Sequence, residues 1–422
     1  MRTNTPWYAV GLALAVTLTS ACSTSPTAAS DQGAGSTGPG GSSSTTATGA
    51  PTPRAGQAAY PTGGGPTSTA AAPSDRAACV SAAYDGMSQA QRWGQLFMVG
   101  IQPAQAPAGI DAVLRSTNVG SVIYLGGWSG AASVTATSQH LQQVTTGRVD
   151  LFIAADQEGG AVQQLKGKGF TVLPAALDQG KRSAGELTAI GSTLAQELRV
   201  AGVNVNLAPV ADTVPPTMTE TNAPIGKYRR EFGTDPETVS AAVPPMVSAL
   251  QNGGVVATVK HFPGLGRITG NTDVTAVGIT DSIATALDPH LDPFRAGIAA
   301  GVGMVMVSSA RYPKLDDANP AMFSPAIITD LLRGRLGFDG VVITDDVGAA
   351  KAVAAVSVPD RAVRFLAAGG DIVLTASAAQ APAMLAAVKA RAATDPAFAS
   401  GLDASVRRVL ELKARFGLIR CG

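Results

Sequence analysis

The sequence predicts an α/β fold, a single-domain (β/α)8 barrel of the TIM type, and three observations carry that prediction. Short apolar runs recur along residues 77–422, with helix-like segments between them. There are eight such runs, at 96–99, 122–125, 151–155, 203–207, 255–259, 304–307, 341–344 and 372–374. Most are apolar throughout rather than alternating, as strands covered on both faces require. A β-then-α rhythm indicates a mostly parallel sheet. Eight units in this length favour closure into a barrel over an open, doubly wound sheet, which remains the alternative. No glycine-rich dinucleotide fingerprint follows the first run.

The chain begins ahead of that domain with a targeting pattern. Arg2 supplies a positive charge, and residues 9–19 form an apolar core too short to span a bilayer comfortably. The core ends at Thr19-Ser20-Ala21-Cys22, which resembles a bacterial lipoprotein processing site. Residues 1–21 then read as a signal peptide and Cys22 as the lipidated first residue of the mature chain. Such sites prefer Leu three positions before the Cys; here Thr19 stands there, with Leu18 one further back. Ordinary secretion is the alternative. Residues 22–76 are dominated by Ser, Thr, Ala, Gly and Pro and carry almost nothing large to bury, so they read as a flexible linker. The expected location is extracytoplasmic, anchored to the cell membrane by lipid and facing the wall. Cys79 and Cys421 bracket the folded region, and an oxidising compartment permits a disulfide between them.

Within the domain, the strand-like runs are β-branched and the intervening segments have helical length or periodicity. These lie at 183–200, 236–252, 291–300, 325–336, 359–368 and 381–393. Pro236 after Asp235 marks a helix start. The charge is close to balanced, 31 basic against 30 acidic residues, which gives no reason to expect a nucleic-acid partner. Three Cys and three His leave little for a metal centre, and no organic cofactor is implied.

Polar residues gather where the apolar runs end, and in a β/α barrel the C-terminal strand ends carry the chemistry. Asp156 closes the third run in Asp156-Gln157-Glu158-Gly159-Gly160, where it suits paired sugar hydroxyls or a turn cap. The fourth run leads into Asn206-Leu207-Ala208-Pro209-Val210-Ala211-Asp212, where Asp212 could hold a neighbouring base or a sugar. Arg229 and Arg230 precede Glu231-Phe232-Gly233; one suits a carboxylate or ligand and the other suits plain surface. Lys260-His261-Phe262-Pro263-Gly264 ends the fifth run with adjacent donors and a sharp turn. A Gly- and Thr-rich loop with Asn271, Thr272 and Asp273 follows, placed to cover the mouth. The seventh run stops on Asp345-Asp346. By position alone, Asp345 is a helix cap or a catalytic carboxylate.

Taken in order, these five motifs resemble the glycoside hydrolase family 3 β-N-acetylglucosaminidases, in the lipoprotein form known from mycobacteria and other actinobacteria. The resemblance spans essentially the whole chain after the linker. It implies retaining hydrolysis of terminal β-GlcNAc from peptidoglycan fragments, with Asp345 as nucleophile through a covalent glycosyl-enzyme. It places Asp156, Arg230, Lys260 and His261, together with Asp212, among the substrate-binding residues. The implied partners are GlcNAc-containing glycans or muropeptides, the implied cofactor is none, and the family default is a monomer.

The chain also departs from that family. Where typical members carry Asp-Ser/Thr-His, with the His as acid/base, this sequence has Asn271-Thr272-Asp273. A carboxylic acid with a raised pKa can give and take the same proton, so Asp273 is the expected acid/base and Asp281 the alternative. Ala161 stands where an Arg commonly follows the Asp-Gln-Glu-Gly-Gly motif, and Arg311 replaces a His before Tyr-Pro. Two other functions stay open: a β-glucosidase-like enzyme, whose relatives mostly carry an aromatic residue at the Asp346 position, and a non-catalytic glycan-binding wall protein.

Overall fold

Eight apolar runs become the parallel strands β1 (Phe97–Ile101), β2 (Ser121–Tyr124), β3 (Phe152–Ala155), β4 (Val205–Asn206), β5 (Val256–Phe262), β6 (Met304–Val307), β7 (Val341–Thr344) and β8 (Val373–Thr375). Their order in the sheet is β7-β6-β5-β4-β3-β2-β1-β8. A parallel bridge between Ile343 and Ile372 joins the two ends. The Thr344 N–H donates to Ile372 O at 3.0 Å and the Val347 N–H to Leu374 O at 3.0 Å, completing the barrel. Nearly every strand residue is buried, because helices cover the outside and side chains fill the inside.

The structure is a computed structural model that describes residues 73–145 and 147–421. The expected signal peptide, Cys22 and the linker up to residue 72 lie outside these. The linker boundary expected at 76 falls inside helix α1 (Pro73–Asp85). Further along come α2 (Gln89–Gly94), α3 (Asp111–Thr117), α4 (Ala131–Val144), α5 (Ala184–Val200), α6 (Pro236–Asn252), α7 (Asp292–Ala299), α8 (Val358–Ala367), α9 (Ala381–Thr394) and α10 (Pro396–Arg415). Ala326–Arg335 winds as a wider, π-type helix between β6 and β7. Starts follow local chemistry. Ser183 and Glu186 form a reciprocal capping box on α5, and Asp235 accepts the Thr238 N–H at 2.8 Å ahead of Pro236 on α6.

The fifth strand runs three residues beyond the expected end, through Phe262. Neighbours on both sides hold it there: Ala211 N–H donates to Lys260 O at 2.6 Å and Ser308 N–H to Phe262 O at 2.9 Å. Lys260 and His261 therefore stand on the end of the strand, and Pro263 and Gly264 follow it. At the opposite, N-terminal end of the barrel, α10 carries a fully buried Lys413. Its ammonium donates to Gln95 Oε1 at 2.7 Å and to Gly120 O and Asp150 O, each at 2.8 Å, tying the last helix to the starts of β1, β2 and β3. Cys79 on α1 and Cys421 form a disulfide with Cα atoms 5.4 Å apart. No helix among the described residues is long and apolar enough to cross a membrane.

Candidate active site

The ends of β3, β4, β5 and β7 bring the polar motifs to one mouth. Glu158 is the hub, and it was not singled out by its sequence context. Its carboxylate is buried and takes a two-point contact from Arg230, Nε to Oε2 at 2.9 Å and Nη2 to Oε1 at 2.7 Å. Lys260 Nζ also reaches Glu158 Oε1 at 2.6 Å and Asp156 Oδ1 at 2.5 Å. Burial would raise the Glu158 pKa, but Arg230 and Lys260 prevail and hold it down at about 2. Burial likewise works against the Lys260 ammonium, and Asp156 and Glu158 outweigh it, so its pKa rises. Arg230 thus meets the site, while Arg229 turns outward to Asp178 at 2.7 Å.

His261 is fixed from behind. Its Nδ1 lies 2.7 Å from Asp212 Oδ2, and Asp212 also accepts the Leu265 N–H at 2.6 Å. In the neutral ring Nδ1 carries the proton, so Nε2 offers a lone pair toward Arg230 Nη2 at 3.4 Å. Asp212, which the sequence left to hold a neighbouring base or a sugar, here holds the base His261 and makes no opening for a sugar. It is 0% exposed and its oxygens are occupied, so it orients His261 and the turn after it. Asn206 is spent on the backbone too, pairing with both N–H and C=O of Gln157 at 3.1 Å and so shaping the turn that presents Glu158.

Asp345 stands at the end of β7, its Oδ1 accepting the Asp346 N–H at 2.9 Å. Asp346 is a cap: its carboxylate accepts N–H groups from Gly348 at 2.8 Å, Ala349 at 3.2 Å and Ala376 at 2.9 Å. Asp273 reaches the same mouth from the loop after β5. Water touches its side chain on the rim, but burial in the surrounding protein and the charges of Asp345 and Asp346 push its pKa up to about 7. Asp281, the alternative acid, is buried in a pairing with Arg267 at 2.8 Å and accepts the Ile283 and Ala284 N–H groups. It has no freedom to serve a substrate.

The arrangement offers a carboxylate at the end of a strand, a second carboxyl whose pKa is pushed up to about 7, and two cations held in place by Glu158 and Asp156. Among the described residues no three His, Cys, Asp or Glu side chains are grouped to hold a metal. A cavity of about 510 Å³ opens at the opposite end of the barrel, beside Gln95, Leu114, Arg115, Asn118 and Leu151. It contains none of these carboxylates, and the side chains, not cavity size, locate the chemistry.

Residues 90–412 match the family model described as the glycosyl hydrolase family 3 N terminal domain. A β-hexosaminidase of Stenotrophomonas maltophilia strain K279a is 38% identical over 238 residues, which cover 53% of this chain and 66% of that protein, just short of two-thirds of its length. Among solved structures, a β-N-acetylhexosaminidase from Beutenbergia cavernae is 46% identical with a TM-score of 0.74, covering 78% of this chain and 98% of that one. A glycoside hydrolase family 3 β-N-acetylglucosaminidase from Paenibacillus is 32% identical with a TM-score of 0.69, covering 79% of this chain and 63% of that one.

Proposed function

Because the chain belongs to glycosyl hydrolase family 3, we propose that it is a retaining exo-β-N-acetylglucosaminidase. Its substrates in this reading are terminal β-GlcNAc units on peptidoglycan fragments. The observation that carries the reading is the meeting of Asp345 and Asp273 at one mouth, with Asp273 held protonated to about pH 7.

In the first step the Asp345 carboxylate attacks the anomeric carbon. The bond from that carbon to the leaving-group oxygen breaks, and the Asp273 proton passes to that oxygen. The sugar is now an ester of Asp345. In the second step water attacks the same carbon, Asp273 takes the water proton, and Asp345 leaves as a carboxylate. Two inversions give net retention. Asp156, Lys260, Arg230 and His261 form the fixed polar wall that binds the sugar hydroxyls, positioned before substrate arrives. The leader, Cys22 and the low-complexity linker support a lipid-anchored enzyme held outside the membrane and facing the wall.

Turnover of aryl β-GlcNAc and aryl β-glucoside by the native protein, Asp345→Ala and Asp273→Ala tests this. The reading predicts preference for the β-GlcNAc glycoside and loss of about 10⁴-fold or more in Asp345→Ala. Asp273→Ala should lose more with poor leaving groups than with good ones. Failure to turn over either glycoside would sink the assignment as an enzyme and favour a glycan-binding role. A preference for the glucoside would move the substrate to the β-glucosidase class.

A further inference from the structure

The loop that carries Asp273 is closed by a clasp which the mechanism above does not use. Arg267, at the start of the loop, donates from Nε to Asp281 Oδ2 at 2.8 Å at its end, and its guanidinium also pairs with Asp288. The three side chains are 13%, 2% and 7% exposed, so the pairing is sheltered from solvent screening. Burial opposes the charge on Arg267, and the two carboxylates more than offset it. Asp288 is itself fixed, accepting the His290 N–H at 3.0 Å.

The neck of the loop is narrow. Thr269 and Gly270 N–H groups both donate to Gly278 O, at 2.9 and 2.8 Å. A Cβ on Gly270 would stand 2.0 Å from Val277 O, so only glycine fits. At the tip, Asn271 Oδ1 accepts the Asp273 N–H at 2.9 Å. Lys351 and Ala352 N–H groups then donate to Asp273 O and Thr272 O at 3.1 and 3.0 Å, seating the tip on the segment that follows Asp345. Apolar packing does little to hold this tip, since Val274 and Val277 are 64% and 79% exposed. Ion pairs and backbone bonds set its position instead.

We propose that Arg267 is a positioning residue for the reaction: its clasp on Asp281 and Asp288 sets where the loop tip stands, and so where the Asp273 carboxyl meets the leaving-group oxygen. This rests on Asp273 being the acid/base. The experiment uses the full-length protein as native, Arg267→Met, Arg267→Lys and Asp273→Ala, each with dinitrophenyl and methyl β-GlcNAc glycosides, with and without azide. A displaced acid predicts that Arg267→Met loses about 10- to 100-fold in kcat/KM on the methyl glycoside and less than about 3-fold on the dinitrophenyl glycoside. Arg267→Lys should recover part of the loss. Azide should divert the Arg267→Met glycosyl-enzyme to β-glycosyl azide, since azide attacks the anomeric carbon and needs no base.

Equal losses on both glycosides, or no azide product, would overturn the proposal. If Arg267→Met does not fold, Asp288→Asn removes the charge from one arm of the clasp and must give the same leaving-group pattern. Asp273→Ala separates the two assignments. Should it show no leaving-group dependence, the acid/base reading falls and the clasp falls with it; should it show that dependence while Arg267→Met does not, only the clasp falls.

Discussion

Asp273 stands among carboxylates, and that crowding governs how its chemistry responds to pH. Burial raises its pKa most, the charges of Asp345, Asp346 and Asp156 push the same way, and Arg230 alone among the leading influences pulls it down. The first chemical step needs the protonated form, so kcat/KM on a poor leaving group should fall as pH rises through about 7. Asp346→Asn removes one of the charges that raise Asp273, so the alkaline limb should move to lower pH. An unmoved limb would assign it to another group. Glu231 gives a second, independent pH effect. It is buried, no other described residue donates a hydrogen bond to its carboxyl oxygens, and burial lifts its pKa to about 7. A raised folded-state pKa means the folded protein holds this proton more tightly than the unfolded chain does. Stability is therefore lost as pH climbs from the unfolded carboxyl value to about 7, by an amount on the order of 3 kcal/mol. Glu231→Gln cannot ionise, so its stability relative to native should improve by that order between pH 5 and 8 in denaturant titrations. A constant difference across that range would contradict this.

Strands and loops were legible to different degrees. The runs at 304–307 and 341–344 coincide with β6 and β7, because a β-branched run covered on both faces has little else to become. The apolar run alone, ending at 259, did not show that β5 would continue through Phe262, since the backbone of Ala211 and Ser308, just past β4 and β6, decides that. Neither α4 nor α10 was among the expected segments: the Ser- and Thr-rich α4 gives little helical signal, whereas α10 has an overlooked one in its Asp395 cap and in Phe398, Leu402, Val406 and Val409 at helical spacing. Glu158 stood in view within its motif, but that Arg230 and Lys260 fold against it is a long-range fact. The loop after β5 depends on Asn222, fully buried, whose Nδ2 donates to Leu265 O and Ile268 O at 2.7 and 2.8 Å. Its Oδ1 accepts the Ile225 and Gly226 N–H groups at 3.0 and 2.7 Å. Asn222→Ala strands three of these backbone groups, Leu265 O keeping the Ile268 N–H at 3.4 Å, and should cost about 3 kcal/mol in chemical denaturation, with Asp273-dependent catalysis falling alongside. A loss below about 0.5 kcal/mol would mean that the loop base is held by other bonds.

At the scale of the molecule, the barrel is stapled where its chain ends meet. The Cys79–Cys421 disulfide closes a loop with a sequence separation of 342, and Lys413 ties the last helix beneath the first three strands. Replacing both cysteines by serine should lower stability by about 2 to 5 kcal/mol and lower the Tm, with kcat unchanged because the staple lies far from the mouth. An unaltered Tm would leave the bond without a stabilising part. The whole protein also records the central claim in its mass. In Asp273→Ala the second step loses its base while an activated glycoside can still drive the first, so a glycosyl-enzyme should accumulate. Intact-protein mass spectrometry of this variant with dinitrophenyl β-GlcNAc, followed by peptide mapping, should find one GlcNAc ester carried on Asp345. A protein that turns over the substrate with no adduct, or with the sugar on another residue, would contradict Asp345 as nucleophile and Asp273 as its partner.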